Sequence, residues 1–121
     1  MKNYIEYDEE ADTLVLRKAN EKIVESINDR YICLLQLNNK KDIVGLEFLN
    51  FRNTFNIPTD ILKKLKDCEV NIRYEHEEKL LHIQVKLFYE KEKETIAIPI
   101  SLDMGNRDFT LSDFNAPLVS A

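Results

Sequence analysis

The chain has 121 residues and carries 17 basic against 22 acidic side chains, a net charge of −5. That length fits one compact domain and leaves too little for two independent ones, and 44% hydrophobic with 32% charged residues is a globular rather than a disordered composition. The acidic balance disfavours general nucleic-acid binding, which depends on neutralising many phosphates.

Residues 4–7, Tyr-Ile-Glu-Tyr, alternate and are rich in aromatics, as strands are. An acidic turn over 8–12 separates them from a second strand, 13–17, and the two read as a hairpin with a longer loop. A third strand is expected over 22–27, ended by Asn28 and Asp29, whose side chains bond back to their own backbone. Residues 31–37 form a nearly unbroken apolar run, 38–42 a polar turn, and 43–49 the returning strand. Apolar on both faces, this hairpin is expected to be central and covered.

The strand pattern breaks over 50–56. One helix is then expected over 59–67, started by Pro58, Thr59 and Asp60, with Ile61, Leu62 and Leu65 on one face and Lys63, Lys64 and Lys66 on the other. Strands follow over 69–74, 80–88 and 95–102. Pro99 donates no backbone hydrogen bond, which places the last of these at an edge or a bulge. Met104-Gly105-Asn106 is a turn, 109–111 a short final strand, and 117–121 a loose tail.

The two halves resemble each other. Shifted by 67, Ile5-Glu6-Tyr7-Asp8 falls on Ile72-Arg73-Tyr74-Glu75, and Leu14 and Leu16 fall on Leu81 and Ile83. Shifted by 65, Leu35-Gln36-Leu37-Asn38 meets Ile100-Ser101-Leu102-Asp103, and Val44 meets Phe109. The expected fold is therefore α+β and mostly β: two tandem antiparallel β modules in a pseudo-twofold sheet unit. Copy one spans 1–56, a linking helix 57–67, and copy two 68–116. A module that pairs with itself as a twofold homodimer can, once duplicated, pair within one chain.

Two segments of copy one carry a family resemblance. The opening Tyr7-Asp8-Glu9-Glu10-Ala11-Asp12-Thr13-Leu14-Val15-Leu16 and the closing Ile43-Val44-Gly45-Leu46-Glu47-Phe48-Leu49-Asn50 resemble the YuzE-like domains, small bacterial and archaeal proteins of unknown function. The resemblance covers about residues 1–52 and reaches the second half only through the repeat. It implies a small β-sheet module and brings no established reaction. Some members look like partners of small toxin-like neighbours, which implies an antitoxin-type or regulatory role. The turn over 38–42 lacks the glycine expected there, and copy two has Thr110 and Ser112 where copy one has Gly45 and Glu47.

Asp8, Glu10 and Asp12, with Glu9, offer oxygen ligands for a hard cation, without the Asp-x-Asp-x-Asp-Gly spacing of a calcium loop. His76 and His82 are the two histidines, spaced for two ligands across a turn but with no local cysteine. Cys33, flanked by Ile32 and Leu34, reads as a small buried hydrophobe. Gly45 and Gly105 are the only glycines, so no glycine-rich phosphate loop exists. Glu47, Phe48, Phe51 and Phe55 are candidates for a binding patch. No cofactor is called for, and the absence of a long apolar run points to the cytoplasm and away from membranes.

The leading expectation is a non-catalytic interaction module that meets a protein partner or a second copy of itself. The alternative is a small enzyme or a ligand- or metal-binding protein. Its site would lie between the copies and combine the acidic turn with His76 or His82.

Overall fold

Buried Ile5, Leu14 and Leu16 alternate with more exposed neighbours such as Glu6, Thr13 and Val15, the period of strands with one covered face. In the computed structural model, which describes residues 4–29, 33–89, 94–110 and 114–115, they lie on β1 (Tyr4–Asp8) and β2 (Thr13–Arg17). With β3 (Glu25–Asp29), β4 (Cys33–Leu37) and β5 (Ile43–Phe48) these strands form an antiparallel sheet in the order β1-β2-β5-β4-β3. The closing strand β5 is thus central, and five of its six residues are buried.

Two short helices follow, α1 (Phe51–Phe55) and α2 (Thr59–Leu62). The single helix expected over 59–67 is corrected on both counts. Its second half is strand: Leu65 enters the core at 3% exposure and already pairs with Tyr89. A four-residue helix has little intrinsic stability, whereas the long strand beside it offers a continuous ladder. The break over 50–56 holds the other helix, bracketed by Asn50 and Asn56 at φ of 50° and 53°, a left-handed conformation that asparagine tolerates better than most residues.

The second sheet has the order β8-β7-β6-β9, with β6 (Leu65–Glu75), β7 (Leu80–Tyr89), β8 (Glu94–Asp103) and the two-residue β9 (Phe114–Asn115). Leu81, Ile83, Val85 and Leu87 of β7 join Leu14, Leu35, Leu46 and Phe48 of the first sheet in one hydrophobic cluster. Cys33 and Cys68 are buried in that cluster and are not joined by a disulfide. Within the final strand expected over 109–111, Thr110 makes one parallel bridge to Asp42. Tyr31, Ile32, Leu111 and the tail over 117–121 lie outside the described residues. Among those described, no helix is long and apolar enough to cross a membrane.

Local geometry follows the two sequence offsets. Asp8 pairs with Thr13 and Glu75 with Leu80 across turns of equal length. Asp12 and Lys79, 67 apart, both take positive φ, 52° and 56°. Asn38 Oδ1 accepts the Lys40 N–H at 2.9 Å, and Asp103 Oδ1, 65 residues on, accepts the Gly105 N–H at 3.0 Å. Sheet order does not follow: β5 separates β2 from β4, whereas β7 pairs directly with β8. The segment equivalent to β5 includes Thr110, which bridges to the first sheet instead of entering the second.

β8 lies at the end of its sheet. Met104 N–H donates to Lys79 O at 2.9 Å, and this fixes the alternation along β8. Even-numbered residues direct their backbone groups at β7; Ala97, Pro99, Ser101 and Asp103 turn theirs to the open edge. Pro99 therefore removes a donor from the middle of that edge, a known guard against strand addition. Pro99→Val restores the donor and is expected to raise the weight-average mass in sedimentation equilibrium above that of the wild-type chain at equal concentration. Equal masses would show that Pro99 guards nothing.

Candidate functional site

The acidic turn is drawn inward at one position. Asp12 is 7% exposed; its Oδ1 accepts the Tyr7 hydroxyl at 2.7 Å and the Arg52 N–H at 2.9 Å, while its carbonyl accepts the Phe51 N–H at 3.0 Å. Burial opposes its ionisation, but the Arg52 amide, the Tyr7 hydroxyl, the Asn53 amide and the Arg52 guanidinium together hold its carboxyl below the ordinary range. Burial, then the hydrogen bond to Asp12 and the charge of that carboxylate, push the Tyr7 hydroxyl up to about 12. Asp8, Glu9 and Glu10 remain exposed, with Asp8 Oδ1 accepting the Ala11 N–H at 3.2 Å.

This turn and the histidines stand at opposite ends of β6. Glu9 pairs with Lys63 at 3.2 Å, over a hollow of about 270 Å³ lined by Ile5, Tyr7, Leu62 and Leu65. His82 sits opposite Arg73, eight residues along β6 from Leu65 or roughly 25 Å at strand rise. A site combining Asp8, Glu10 or Asp12 with His76 or His82 is not assembled. No three His, Cys, Asp or Glu side chains among the described residues form a ligand cluster. His76 packs its ring edgewise on Tyr74, centroids 4.7 Å apart.

His82 belongs to a different arrangement. On the outer face of the second sheet, its Nδ1 lies 2.9 Å from Ser101 Oγ and its Nε2 3.0 Å from Glu75 Oε2. Arg73 and Ser101 are its direct cross-strand neighbours, and Asn71, Gln84 and Pro99 fill the next row. These side chains line a shallow depression of about 450 Å³. Ser101 and Glu75 become visible as its partners only once the register is known.

The aromatic candidates are core. Phe48 and Phe51 are fully buried, and with half-buried Phe55 they form a cluster with ring centroids 5.0–6.0 Å apart. They present no outer patch, and the one exposed large hydrophobic among the described residues is Val24. Glu47 instead lies half-buried on the outer face of the first sheet, between Val15 and Leu34 on the adjacent strands.

Beside it runs an ordered polar row of Tyr4, Arg17, Gly45 and Gln36. Arg17 donates from Nε and Nη2 to Gln36 Oε1 at 3.3 and 3.1 Å, and from Nη1 to the Tyr4 hydroxyl at 3.0 Å. Gln36 is only 5% exposed although it faces outward. Gly45 makes the room: a Cβ there would stand 2.5 Å from Gln36 Oε1 and 3.2 Å from the Leu16 carbonyl. The missed residues here are Tyr4, Arg17 and Gln36; the glycine inside a strand was the signal of a close approach.

Two measurements check these networks. Tyr7→Phe should cost about 1–2 kcal/mol, because it leaves a buried carboxylate oxygen short of a donor. A hydroxyl whose folded pKa is raised stabilises the fold fully below its ordinary 10.0 and loses that contribution as pH climbs toward about 12. Urea titrations should therefore lose stability across that window in the wild-type chain and less so in the variant. Gly45→Ala should destabilise by about 1–3 kcal/mol through overpacking, and adding Gln36→Ala should recover part of the loss.

No curated protein and no solved structure matches the chain. Residues 4–52, which span the first sheet and the start of α1, are similar to a family described as proteins of unknown function, DUF2283.

Proposed function

We propose that the chain is a cytoplasmic protein-interaction module, regulatory or antitoxin-like in role, that meets its partner through the outer face of the first sheet. The observation that carries this reading is the Arg17 array. Its guanidinium is held by Gln36 and Tyr4 on a face that points away from the core. It keeps two N–H groups for a carboxylate of the partner, because a guanidinium has five donors and three are engaged.

Pre-ordered Arg and Tyr side chains are the kind that dominate binding energy at protein interfaces. Val15 and Leu34, half-buried on either side of Glu47, give the same face apolar area beside its charges. Gly45 and Glu47, both in the YuzE-like closing motif, also sit on it. The shared hairpin register and the repeated side-chain turns favour descent of the second half from a copy of the first, with its strands since rearranged.

Co-expression of the tagged chain with the product of the adjacent gene tests the reading. The wild-type chain should retain that product on affinity resin. Glu47→Lys and Arg17→Lys should release it while keeping the wild-type circular dichroism spectrum, since lysine cannot reproduce the guanidinium fork. Retention unchanged in both variants, or no retention by the wild type, would count against this face.

A further inference from the structure

The second sheet carries an arrangement that the interaction reading does not use. Ser101, His82 and Glu75 form an unbroken hydrogen-bonded chain on its outer face, 2.9 and 3.0 Å long at its two links. The chemistry of the partners fixes the direction of the protons. An ionised carboxylate can only accept, so Nε2 of a neutral His82 carries the hydrogen toward Glu75. Nδ1 is left with a lone pair facing the Ser101 hydroxyl. That is the relation of nucleophile, base and orienting acid found in acyl-transfer sites on unrelated folds.

A donor for the developing oxyanion stands at the same residue. The Ser101 N–H is turned to the open edge of β8 by the pairing that Met104 fixes. Arg73, directly opposite His82 on β6, lines the same depression of about 450 Å³ together with Asn71 and Gln84. It is the cation among these lining side chains, so it favours a substrate with a negative group.

We infer that Ser101 is a nucleophile, with His82 as its base, toward small carboxylic esters that carry an anionic group. Ser101 Oγ attacks the carbonyl carbon and its proton passes to His82 Nδ1. The bond to the alcohol oxygen breaks, and Nδ1 returns the proton to that oxygen. Water then adds to the acyl carbon by the same base, releasing the carboxylic acid and restoring the serine. Glu75 is a positioning residue: it touches no substrate and holds the imidazole tautomer.

The test uses the full chain and a fluorophosphonate probe, with intact mass and peptide mapping as the readout. Ser101 should be labelled, and labelled faster than Ser26, which is also exposed on a strand and serves as the reference. Ser101→Ala should remove that adduct, and His82→Gln should slow it by about 100-fold, the usual scale for a lost general base. Glu75→Gln should slow it less, with Glu75→Asp recovering part of the rate. Hydrolysis of 4-nitrophenyl hydrogen succinate should exceed that of 4-nitrophenyl acetate, and Arg73→Gln should abolish the preference. These side chains face solvent, so circular dichroism should not change in any variant. Ser101 labelled no faster than Ser26, or at a rate indifferent to His82→Gln, would overturn the assignment. Neither result touches the Arg17 array, which lies on the other sheet.

Discussion

The Asp12 carboxylate is the constraint on which the first sheet's packing depends. Through Tyr7 it fixes the ends of the β1–β2 hairpin, and through the Arg52 amide, with the Asp12 backbone carbonyl taking the Phe51 amide, the same residue fixes the start of a helix some 40 residues later. Phe51 is thereby delivered, fully buried, against Phe48 at the end of the central strand. An ionised group at 7% exposure is tolerable only because hydrogen bonds to the charged form outweigh its desolvation. One aspartate, through its carboxylate and its carbonyl, thus joins a turn, a helix and the aromatic part of the core.

The two halves are held together by other means. A unit of about 60 residues buries only some 60% of its unfolded surface and is marginal alone. The inner residues of both sheets share one cluster, and Thr110 bonds back to Lys41 and Ile43 beside the start of β5. The outer faces are then relieved of core duty. Each carries a cross-strand row whose order comes from pairing: Arg17 with Gln36 and Tyr4 on one, His82 with Ser101 and Glu75 on the other.

Strands were legible in the sequence because alternation is a local property. The hairpins over 4–17 and 33–48, the long pair over 69–88 and the edge position of Pro99 all follow from period, turn residues and the missing proline N–H. The helix over 59–67 misled for a physical reason. Leu62 and Leu65 satisfy a helical spacing, yet Leu65, Cys68 and Val70 are just as well placed for the buried side of a bulged strand, and pairing with β7 decides between them. The Phe48–Phe55 segment has the composition of a binding patch, and local composition does not say that the chain between Asn50 and Asn56 folds back onto the core.

The polar sites were hidden for a different reason. Arg17 and Gln36 are 19 apart in sequence, as are His82 and Ser101, and no motif of fixed spacing links either pair. What links them is register, and a slip of one residue would send every member to the opposite face. The distance between the candidate metal ligands has the same origin: the acidic turn and His82 lie toward different ends of β6. Gly45 is the exception that shows what sequence can reveal about such a site. A glycine inside a buried strand costs stability unless something approaches its backbone closely, and here the Gln36 carboxamide does. The closing motif is thus better understood as a packing requirement of the outer polar row than as a signature of chemistry in its own residues.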